Sequence, residues 1–451
     1  MISKSFKVIV IGGGPSGITA AYALYHAGID FVVLERRADV AEDQGASLVL
    51  SPASLRVFHQ FGILDQLMEI GGRVKENKAF TVDGHVFMHA DALGILKEHH
   101  GIEPVAYHRA HLIQALYDNL PATAKSRYLT GKKLASITST ETGVAVTCDD
   151  GSSYSGTLVL GADGVHSMTR REMRRLAIDE DSACETTWDP VKPYKTNYQC
   201  VWASFPRPTE PGQSYETHST DKSVMYITGK ERGWIFLYKK LPRPTVERIA
   251  LTDTEVTEFV SEFVDWPITE TLKVKDVWED RYNAGGAGLE EGICGNWSWN
   301  GRIVLVADAA HKFTPNAGLG FNNGVQDVAA LCNKLREFAL ASAGESLDFT
   351  ALESRLKEYR QERLDTLMSD LEHSALVTRM HAWSSTWTWI MARYIMSWSF
   401  MQRLFITYVL SPKVQKSGII DFLPTSEPFE GTFKWLHPLS KTIANSSSVQ
   451  K

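Results

Sequence analysis

Cysteines are few in this sequence, and none are placed as a disulfide framework or a zinc site requires. The chain has 451 residues and five cysteines, an odd number without any C-x-x-C pair. Small secreted domains pair their cysteines in even numbers and zinc sites use close pairs, so neither class is favoured. We expect reduced intracellular thiols at Cys148, Cys184, Cys200, Cys294 and Cys332.

Several other signatures of binding and catalysis are missing. The 47 basic and 53 acidic residues give a net charge of −6 without a basic block, which argues against a nucleic-acid partner. There is no G-x-S-x-G or H-E-x-x-H motif, and the 14 histidines show no ligand spacing. We therefore expect neither hydrolase chemistry nor a bound metal.

Apolar runs of membrane-spanning length are also lacking. In the segment 382–412, Arg393 and Arg403 separate uncharged runs of 11, 9 and 9 residues, whereas a spanning helix needs about 18 to 20. Its tryptophans and intermittent arginines favour an interfacial helix or hairpin with peripheral membrane association, and a helical cap packed on the protein is the alternative. We expect a cytoplasmic chain, associated with the cytosolic face of the endoplasmic reticulum if this segment binds membrane.

What the sequence does contain is a glycine-rich turn near its start, in KVIVIGGGPSGITAAYALYHAGIDFVVLER, residues 7–36. The apolar periodicity predicts a strand over 6–11, a helix over 16–27 and a strand over 31–34, which together form a βαβ unit. Such a unit is the context in which a glycine turn binds a dinucleotide, although some glycine turns bind nothing.

The glycines of this unit have separate tasks. Gly12, Gly14 and Gly17 permit the tight turn, the close approach of a pyrophosphate and the contact between strand and helix. Glu35 ends the second strand, where its carboxylate can accept hydrogen bonds from both ribose hydroxyls of an adenosine. A solvated glutamate at a strand end is the alternative interpretation.

Two later stretches each carry an aspartate after a buried strand, GADGVHS at 161–167 with Asp163 and RIVLVADAAH at 302–311 with Asp308. Either aspartate alone is more often an ordinary turn residue. Together with the glycine turn, the two stretches resemble the three cofactor motifs of the flavoprotein monooxygenases related to para-hydroxybenzoate hydroxylase. The resemblance covers about residues 6–375, in order.

The resemblance implies FAD as cofactor, NADPH or NADH as reductant, and O₂ as co-substrate. It implies that Asp308 bonds the ribityl chain and that Asp163 shapes a turn near the pyrophosphate, while His311 is structural. Because reduced flavin is an anion, the start of the helix after the glycine loop would stabilise it. The remaining positions implied around the flavin are Gly45, Leu48, Val49, Arg109, Gly320 and Phe321.

We predict an α/β fold, in which a split Rossmann-like FAD-binding domain carries an inserted antiparallel β-sheet substrate domain and a helical C-terminal tail. Alternating apolar and aromatic runs between about 184 and 284 indicate the strands of the inserted sheet. The predicted parts are a first FAD-binding part over 1–183 with a substrate-domain excursion near 72–105, the substrate domain over 184–284, a second FAD-binding part over 285–376, and the tail over 377–451.

The substrate domain departs from many relatives, in which one strand carries a Tyr-Arg-Gly run. Here the corresponding run is Tyr198-Gln199-Cys200-Val-Trp202, which puts arginine-assisted chemistry in doubt. The run resembles fungal FAD-dependent monooxygenases of terpenoid and indole-diterpene biosynthesis, including paxilline-type epoxidases. The resemblance implies epoxidation or hydroxylation of an apolar prenylated, terpenoid or indole-derived metabolite, with Tyr198, Gln199, Trp202 and Phe236 as pocket candidates.

Three alternatives remain open from the sequence. A phenol or other aromatic hydroxylase would share the fold, as would a flavin halogenase, although Trp297-Ser-Trp299-Asn-Gly lacks the Ile-Pro of the halogenase motif. A non-catalytic prenyl-binding carrier is the third alternative, and it would have no reason to retain Asp163 and Asp308 together. The sequence does not predict an oligomeric state.

Overall fold

The structure of the protein is a computed structural model that describes residues 6–343 and 346–441. The strands are β1 (Lys7–Ile11), β2 (Asp30–Leu34), β3 (Ser47–Leu50), β4 (Gly72–Arg73), β5 (Glu76–Thr81), β6 (Val86–Ala90), β7 (Val105–His108), β8 (Tyr128–Leu129), β9 (Leu134–Thr140), β10 (Gly143–Cys148), β11 (Ser153–Gly156), β12 (Leu158–Gly161), β13 (Lys195–Pro206), β14 (Gln213–Ser219), β15 (Lys222–Thr228), β16 (Arg232–Thr245), β17 (Asn283–Ile293), β18 (Ser298–Trp299), β19 (Ile303–Leu305) and β20 (His311–Lys312). The α-helices are α1 (Pro15–Ala27), α2 (Pro52–Gln60), α3 (Leu64–Ile70), α4 (Ala92–His100), α5 (Arg109–Asp118), α6 (Ala122–Lys125), α7 (Met168–Glu180), α8 (Cys184–Thr187), α9 (Asp253–Ser261), α10 (Val274–Trp278), α11 (Gly320–Ala341), α12 (Phe349–His381), α13 (Thr386–Ile390), α14 (Ser399–Phe405) and α15 (Ser411–Gln415).

A six-stranded sheet in the order β18-β19-β12-β1-β2-β8 forms the centre of the molecule. Its inner strands are parallel, with Val10 paired to Leu160 on one side and to Val33 on the other. The central sheet packs against α1, against α7 and against the small sheet formed by β9, β10 and β11, so its inner strands are continuous apolar runs rather than alternating ones. The predicted βαβ unit is therefore confirmed, and its helix begins at Pro15, a residue favoured in the first turn.

The second large sheet has eight strands in the order β20-β17-β13-β16-β15-β14-β5-β6. The prediction of an antiparallel sheet is correct for most neighbouring pairs, but β14 and β5 run parallel, with Glu216 opposite Ala79. Strands β5 and β6 come from the region 72–105, far from the rest of the sheet along the chain.

The predicted boundary between residues 284 and 285 is wrong, because it falls inside β17 of the second sheet. This strand has the sequence NAGGAGLEEGI, in which glycine is frequent. Glycine is depleted in strands and removes the alternating pattern by which a strand is recognised. The sequence pattern therefore does not predict β17.

The C-terminal region is helical only in part. The long helix α12 is followed by the short helices α13, α14 and α15, and residues 416–441 are irregular. This irregular segment packs back on the first part of the chain, where fully buried Arg56 makes two 2.8 Å contacts with the carboxylate of Glu427. No helix within the described ranges has the length and apolar character needed to cross a membrane.

Candidate active site

The glycine turn after β1 leaves an open space at the start of α1. Gly12 has φ +99°, a conformation that residues with a side chain rarely adopt. A Cβ on Gly17 would overlap the carbonyl oxygen of Gly12, whereas a Cβ on Gly14 would meet nothing within 4 Å. The free space before Gly14, at the positive end of a helix, fits the diphosphate of a dinucleotide.

Glu35 lies at the end of β2, held by the turn that it faces. Its buried carboxylate accepts hydrogen bonds from the backbone N–H of Gly13 at 2.6 Å and of Arg37 at 2.9 Å. Each carboxylate oxygen keeps a further lone pair for a ribose hydroxyl. Tyr128, which the sequence analysis missed, donates to the carbonyl of Gly13 at 2.8 Å and fills the space beside the turn.

Asp163 holds the turn between β12 and α7. Its carboxylate accepts hydrogen bonds from the hydroxyl of Ser167 at 2.6 Å and from the backbone and hydroxyl of Thr169 at 2.9 and 3.0 Å. Arg170, in the first turn of α7, donates to the carbonyl of Ala309 at 2.8 Å. The two aspartate motifs are thus joined directly, a connection that the spacing of the sequence did not indicate.

Asp308 is aimed into the cleft by a strained turn. Ala307 has φ +53°, which is unfavourable for alanine, and its N–H donates to the carboxylate of Asp327 at 2.9 Å. Asp308 itself is about one-third exposed and pairs with Lys312 at 2.6 Å. A Cβ on Gly320 would lie 3.9 Å from the carboxylate of Asp308, so the acidic turn and the start of α11 border the same space.

The buried network under this turn explains His311. Its Nε2 lies 2.6 Å from the carboxylate of Asp327, which also accepts from Arg363 at 2.8 Å. Burial acts to raise the pKa of Asp327, but His311 and Arg363 hold it at about 2. His311 and Asp327 are fully buried, so they support the acidic turn rather than face a ligand.

The loop before β3 closes the cleft from another side. The guanidinium of Arg109 donates to the side chain of Gln44 at 3.1 Å, and its backbone N–H donates to Ala46 at 3.0 Å. Burial lowers the pKa of Arg109, as does Arg37, while the charge of Asp308 acts in the opposite direction. Gly45 has φ +73° and lies against the backbone of Asn283 in β17.

The side chains of Leu48 and Phe321 do not face the cleft. Leu48 packs on the central core, and the ring of Phe321 lies 6.2 Å from that of Phe58. A contact of either residue with a flavin would therefore be made by its backbone, as the resemblance implies for Phe321, because alternation along β3 turns Val49, rather than Leu48, towards the second sheet.

Asn322, another residue that the sequence analysis missed, fixes the backbone on both sides of the cleft. Its amide donates to the carbonyls of Val49 at 2.8 Å and Gly318 at 2.7 Å, and its oxygen accepts from Ser51 at 2.8 Å. This side chain therefore holds the glycine loop before α11 against β3. Its signal in the sequence was only its place two residues after Gly320.

One face of the second sheet is turned towards the cleft. The indole N–H of Trp202 donates to the carbonyl of Gln44 at 2.8 Å, next to Gly45. The side chains that cluster on this face with Trp202 and Val49 are Cys200, Met225, Ile227, Trp234, Phe236 and Tyr238. A cavity of about 360 Å³ opens at one edge of this cluster and is lined by Ala106, His108, Lys230, Arg232 and Trp234, among others.

The predicted pocket residues fall on both faces of β13. Trp202 and Phe236 lie opposite one another on neighbouring strands of the cleft face. Tyr198 is buried at the far end of this face beside Ser384, and burial raises its pKa to about 12. Gln199 shares the parity of Val201, which packs in the core behind the sheet, so its assignment to the pocket is wrong.

Two of the histidines, in which the sequence shows no ligand spacing, lie together with a glutamate in the structure. Glu216 and His218 of β14 meet His381 at the end of α12, and all three side chains are buried. His381 is more than 160 positions from Glu216 and His218 along the chain, so no local spacing predicts that the three meet.

A glycine turn on a βαβ unit, two aspartate turns and an apolar sheet over the same cleft define an FAD-dependent oxidoreductase. The family described as FAD binding domain matches residues 5–373. The chain belongs to this family, among the FAD-dependent monooxygenases of the fungal secondary-metabolism type.

Two relatives illustrate this membership. The FAD-dependent monooxygenase ausM of Penicillium brasilianum is 31% identical over 399 residues, which cover 87% of this chain and 82% of that protein. The FAD-dependent monooxygenase esdpE of Penicillium shearii is 30% identical over 455 residues, covering 96% of this chain and 92% of that protein.

Solved structures share the fold at low identity. The p-nitrophenol 4-monooxygenase PnpA of Pseudomonas putida has a TM-score of 0.72 at 17% identity, covering 93% of this chain and 99% of that one. HpxO of Klebsiella pneumoniae, solved with FAD and uric acid, has a TM-score of 0.69 at 21% identity and covers 92% and 97%. These likenesses confirm the predicted fold class.

Proposed function

We propose that this enzyme uses FAD, NADPH or NADH, and O₂ to epoxidise or hydroxylate an apolar prenylated, terpenoid or indole-derived metabolite. One oxygen atom enters the substrate and the other leaves as water, while the nicotinamide nucleotide supplies the two electrons. The observation that carries the substrate class is the apolar cluster at the middle of the cleft face of the second sheet, which includes Cys200, Met225 and Phe236. An apolar guest needs no ionic partner there.

Different groups of the chain would bind the cofactor and orient the substrate. When bound, FAD accepts hydride and activates dioxygen. The turn at Gly14 and the start of α1 bind the diphosphate, and the positive end of α11 favours the negative charge of the reduced ring. Asn322 keeps both backbone walls in position. Trp202 and the cleft face orient the guest and exclude water.

The test of this reaction is mass spectrometry of products from a panel of prenylated aromatic and terpenoid compounds under ¹⁸O₂. We expect a product that gains the mass of one oxygen-18 atom, located on the prenyl or terpenoid part. Label on a phenol ring would favour an aromatic hydroxylase instead. Incorporation from H₂¹⁸O alone, or binding of the compounds without turnover by the FAD-loaded enzyme, would contradict the proposal.

The use of a nicotinamide nucleotide is supported by the charge around the Asp163 turn. His166 lies in this turn. Burial lowers its pKa most, and the positive charges of the nearby Arg248 and Arg171 lower it further. Exposed arginines beside a diphosphate site favour a second anionic nucleotide. We expect Arg248→Ala to raise the KM for NADPH several-fold with unchanged FAD content, and Arg243→Ala, a neighbouring exposed arginine, to leave it unchanged.

Peripheral membrane association is a further part of the proposal. Helices α13 and α14 and their surroundings expose five aromatic side chains, Trp387 at 61%, Tyr394 at 52%, Trp398 at 67%, Phe400 at 68% and Tyr408 at 73%. Exposed tryptophan and tyrosine beside Arg403 suit the headgroup layer of a membrane. From the cytosolic face of the endoplasmic reticulum, the enzyme would collect an oily substrate.

Co-sedimentation of the full chain with phosphatidylcholine–phosphatidylserine vesicles tests the association. Deletion of the whole tail is unsuitable, because residues 416–441 pack on the FAD-binding part. The variant with Trp387, Trp398, Phe400 and Tyr408 changed to serine should stay in the supernatant. A matched control with Val191 and Tyr282, which are exposed elsewhere, changed to serine should sediment like the wild type. Wild-type protein that does not sediment would refute the association.

A further inference from the structure

Glu216 and His218 point from the cleft face of the second sheet towards the end of α12. They are two residues apart on β14, so they share a face, and this face is the one that carries Met225, the partner of Glu216 on the next strand. His381 is the last residue of α12. The three side chains are 8%, 2% and 7% exposed.

The potential ligand atoms of these residues converge. The Oε2 atom of Glu216 lies 3.4 Å from Nε2 of His218 and 3.2 Å from Nε2 of His381, and all three ligand atoms lie within 4.8 Å of one another. Around a tetrahedral zinc ion with bonds of about 2.0 to 2.1 Å, neighbouring ligand atoms are about 3.3 Å apart. The two distances from Glu216 match this spacing.

The buried carboxylate of Glu216 lies beside two imidazoles. In residues 6–343 and 346–441, the ion-pair partners of Glu216 are His218 and His381, and no lysine or arginine is among them. A buried carboxylate is costly unless its charge is balanced. One divalent cation would balance it and would use the imidazole nitrogens as ligands.

A cluster held by hydrogen bonds alone accounts for less of the geometry. The contact between Glu216 and His218 at 3.4 Å, and that between Asn316 and Nδ1 of His381 at 3.5 Å, are long for hydrogen bonds. In the part of the chain that the structure describes, Nδ1 of His218 has no partner although it is buried. The amide of Asn316 also contacts the hydroxyl of Thr378, which can either donate or accept. The amide can therefore be turned so that its oxygen, rather than its nitrogen, faces Nδ1 of His381.

We propose that Glu216, His218 and His381 bind one divalent cation of the zinc class. Two imidazoles and one carboxylate are a ligand set that zinc accepts, with a fourth position left for water or another oxygen ligand. Asn77 orients the carboxylate from the neighbouring strand β5.

The metal fastens the end of α12 to the substrate sheet. Two residues after His381, Trp383 has φ +37°, an unfavourable conformation for tryptophan, and its ring lies 6.3 Å from those of Phe87 and His218. Fixing His381 therefore fixes the segment that closes the far end of the cleft face. This role does not depend on the reaction proposed above.

Metal analysis of the full-length, FAD-loaded protein tests the site. The protein is purified without a histidine tag or chelator, dialysed, and measured by inductively coupled plasma mass spectrometry, and the wild type is examined by zinc X-ray absorption. We expect one zinc per chain with nitrogen and oxygen ligands. His218→Gln and His381→Gln should lower the zinc content about tenfold or more, whereas His89→Gln, which is 65% exposed, should retain it.

Each result of the zinc measurements either supports or overturns the proposed metal site. Wild-type protein that contains no zinc and takes up none from equimolar ZnCl₂ overturns the proposal. Zinc with sulfur ligands, or zinc retained equally in His218→Gln and His381→Gln, places the metal elsewhere and also overturns it. If a variant fails to fold, as judged by FAD content, the uptake and the X-ray absorption of the wild type still decide. Because zinc content is read without turnover, failure here is distinct from failure of the monooxygenase proposal.

Discussion

The indole N–H of Trp202 donates a hydrogen bond of 2.8 Å to the backbone carbonyl of Gln44. This contact joins the second sheet to the loop before β3. In the same loop, the side chain of Gln44 accepts a hydrogen bond from Arg109. A residue on the cleft face of the second sheet thus helps to define one edge of the cleft, so we expect changes on this face to affect cofactor binding.

Trp202→Phe tests this connection, since it keeps an aromatic ring and removes the donor. The loss of one hydrogen bond of about 1 kcal/mol should weaken FAD binding roughly fivefold. Fluorescence titration of the apoprotein with FAD measures the change. Trp266→Phe is the matched control and should bind like the wild type, because Trp266 lies between α9 and α10 and packs against the core behind the same sheet. Equal affinities for both variants would remove Trp202 from the cofactor site.

The C-terminal segment should contribute strongly to stability through Glu427. Its carboxylate pairs with Arg56, which is fully buried and stacks 3.8 Å from the ring of Trp435. Glu427→Gln leaves a buried guanidinium without its counter-charge, at a cost of about 3 to 5 kcal/mol. We expect a clear fall in Tm by calorimetry, whereas Glu430→Gln, an exposed neighbour, should melt like the wild type.

Asp327 makes part of the stability dependent on pH. Its pKa in the folded protein, about 2, lies below the ordinary 3.8, so its ionisation stabilises the fold above about pH 4 and this contribution is lost as pH falls towards 2. Asp327→Asn should destabilise the protein by about 3 to 5 kcal/mol at neutral pH. In urea unfolding, the difference from the wild type should shrink at about pH 3. A constant difference would show that the charge of Asp327 is not what stabilises the turn.

The sequence was sufficient where function depends on local order. The βαβ unit, its glycines and Glu35 lie within 30 residues, and the structure forms the predicted elements there. The two aspartate turns follow buried strands, β12 and β19, and the apolar runs of these strands also predict them from the sequence.

The sequence was insufficient where residues meet from distant parts of the chain. Asn322 fixes two backbone segments by contacts that no periodicity encodes, and His381 meets Glu216 across separate elements. Gln199 was assigned to the pocket because the pattern marked a strand without marking its faces. The packing of residues 416–441 was missed because this segment has no regular structure to predict.

The central claim is that FAD binds with its diphosphate at Gly14, and absorption spectroscopy of Gly14→Val beside the wild type tests it most directly. A Cβ at Gly14 has no protein atom within 4 Å, so the variant should fold and melt like the wild-type apoprotein while failing to take up the yellow cofactor. The wild type should bind one FAD per chain. A folded Gly14→Val protein that holds FAD as tightly as the wild type would contradict the account.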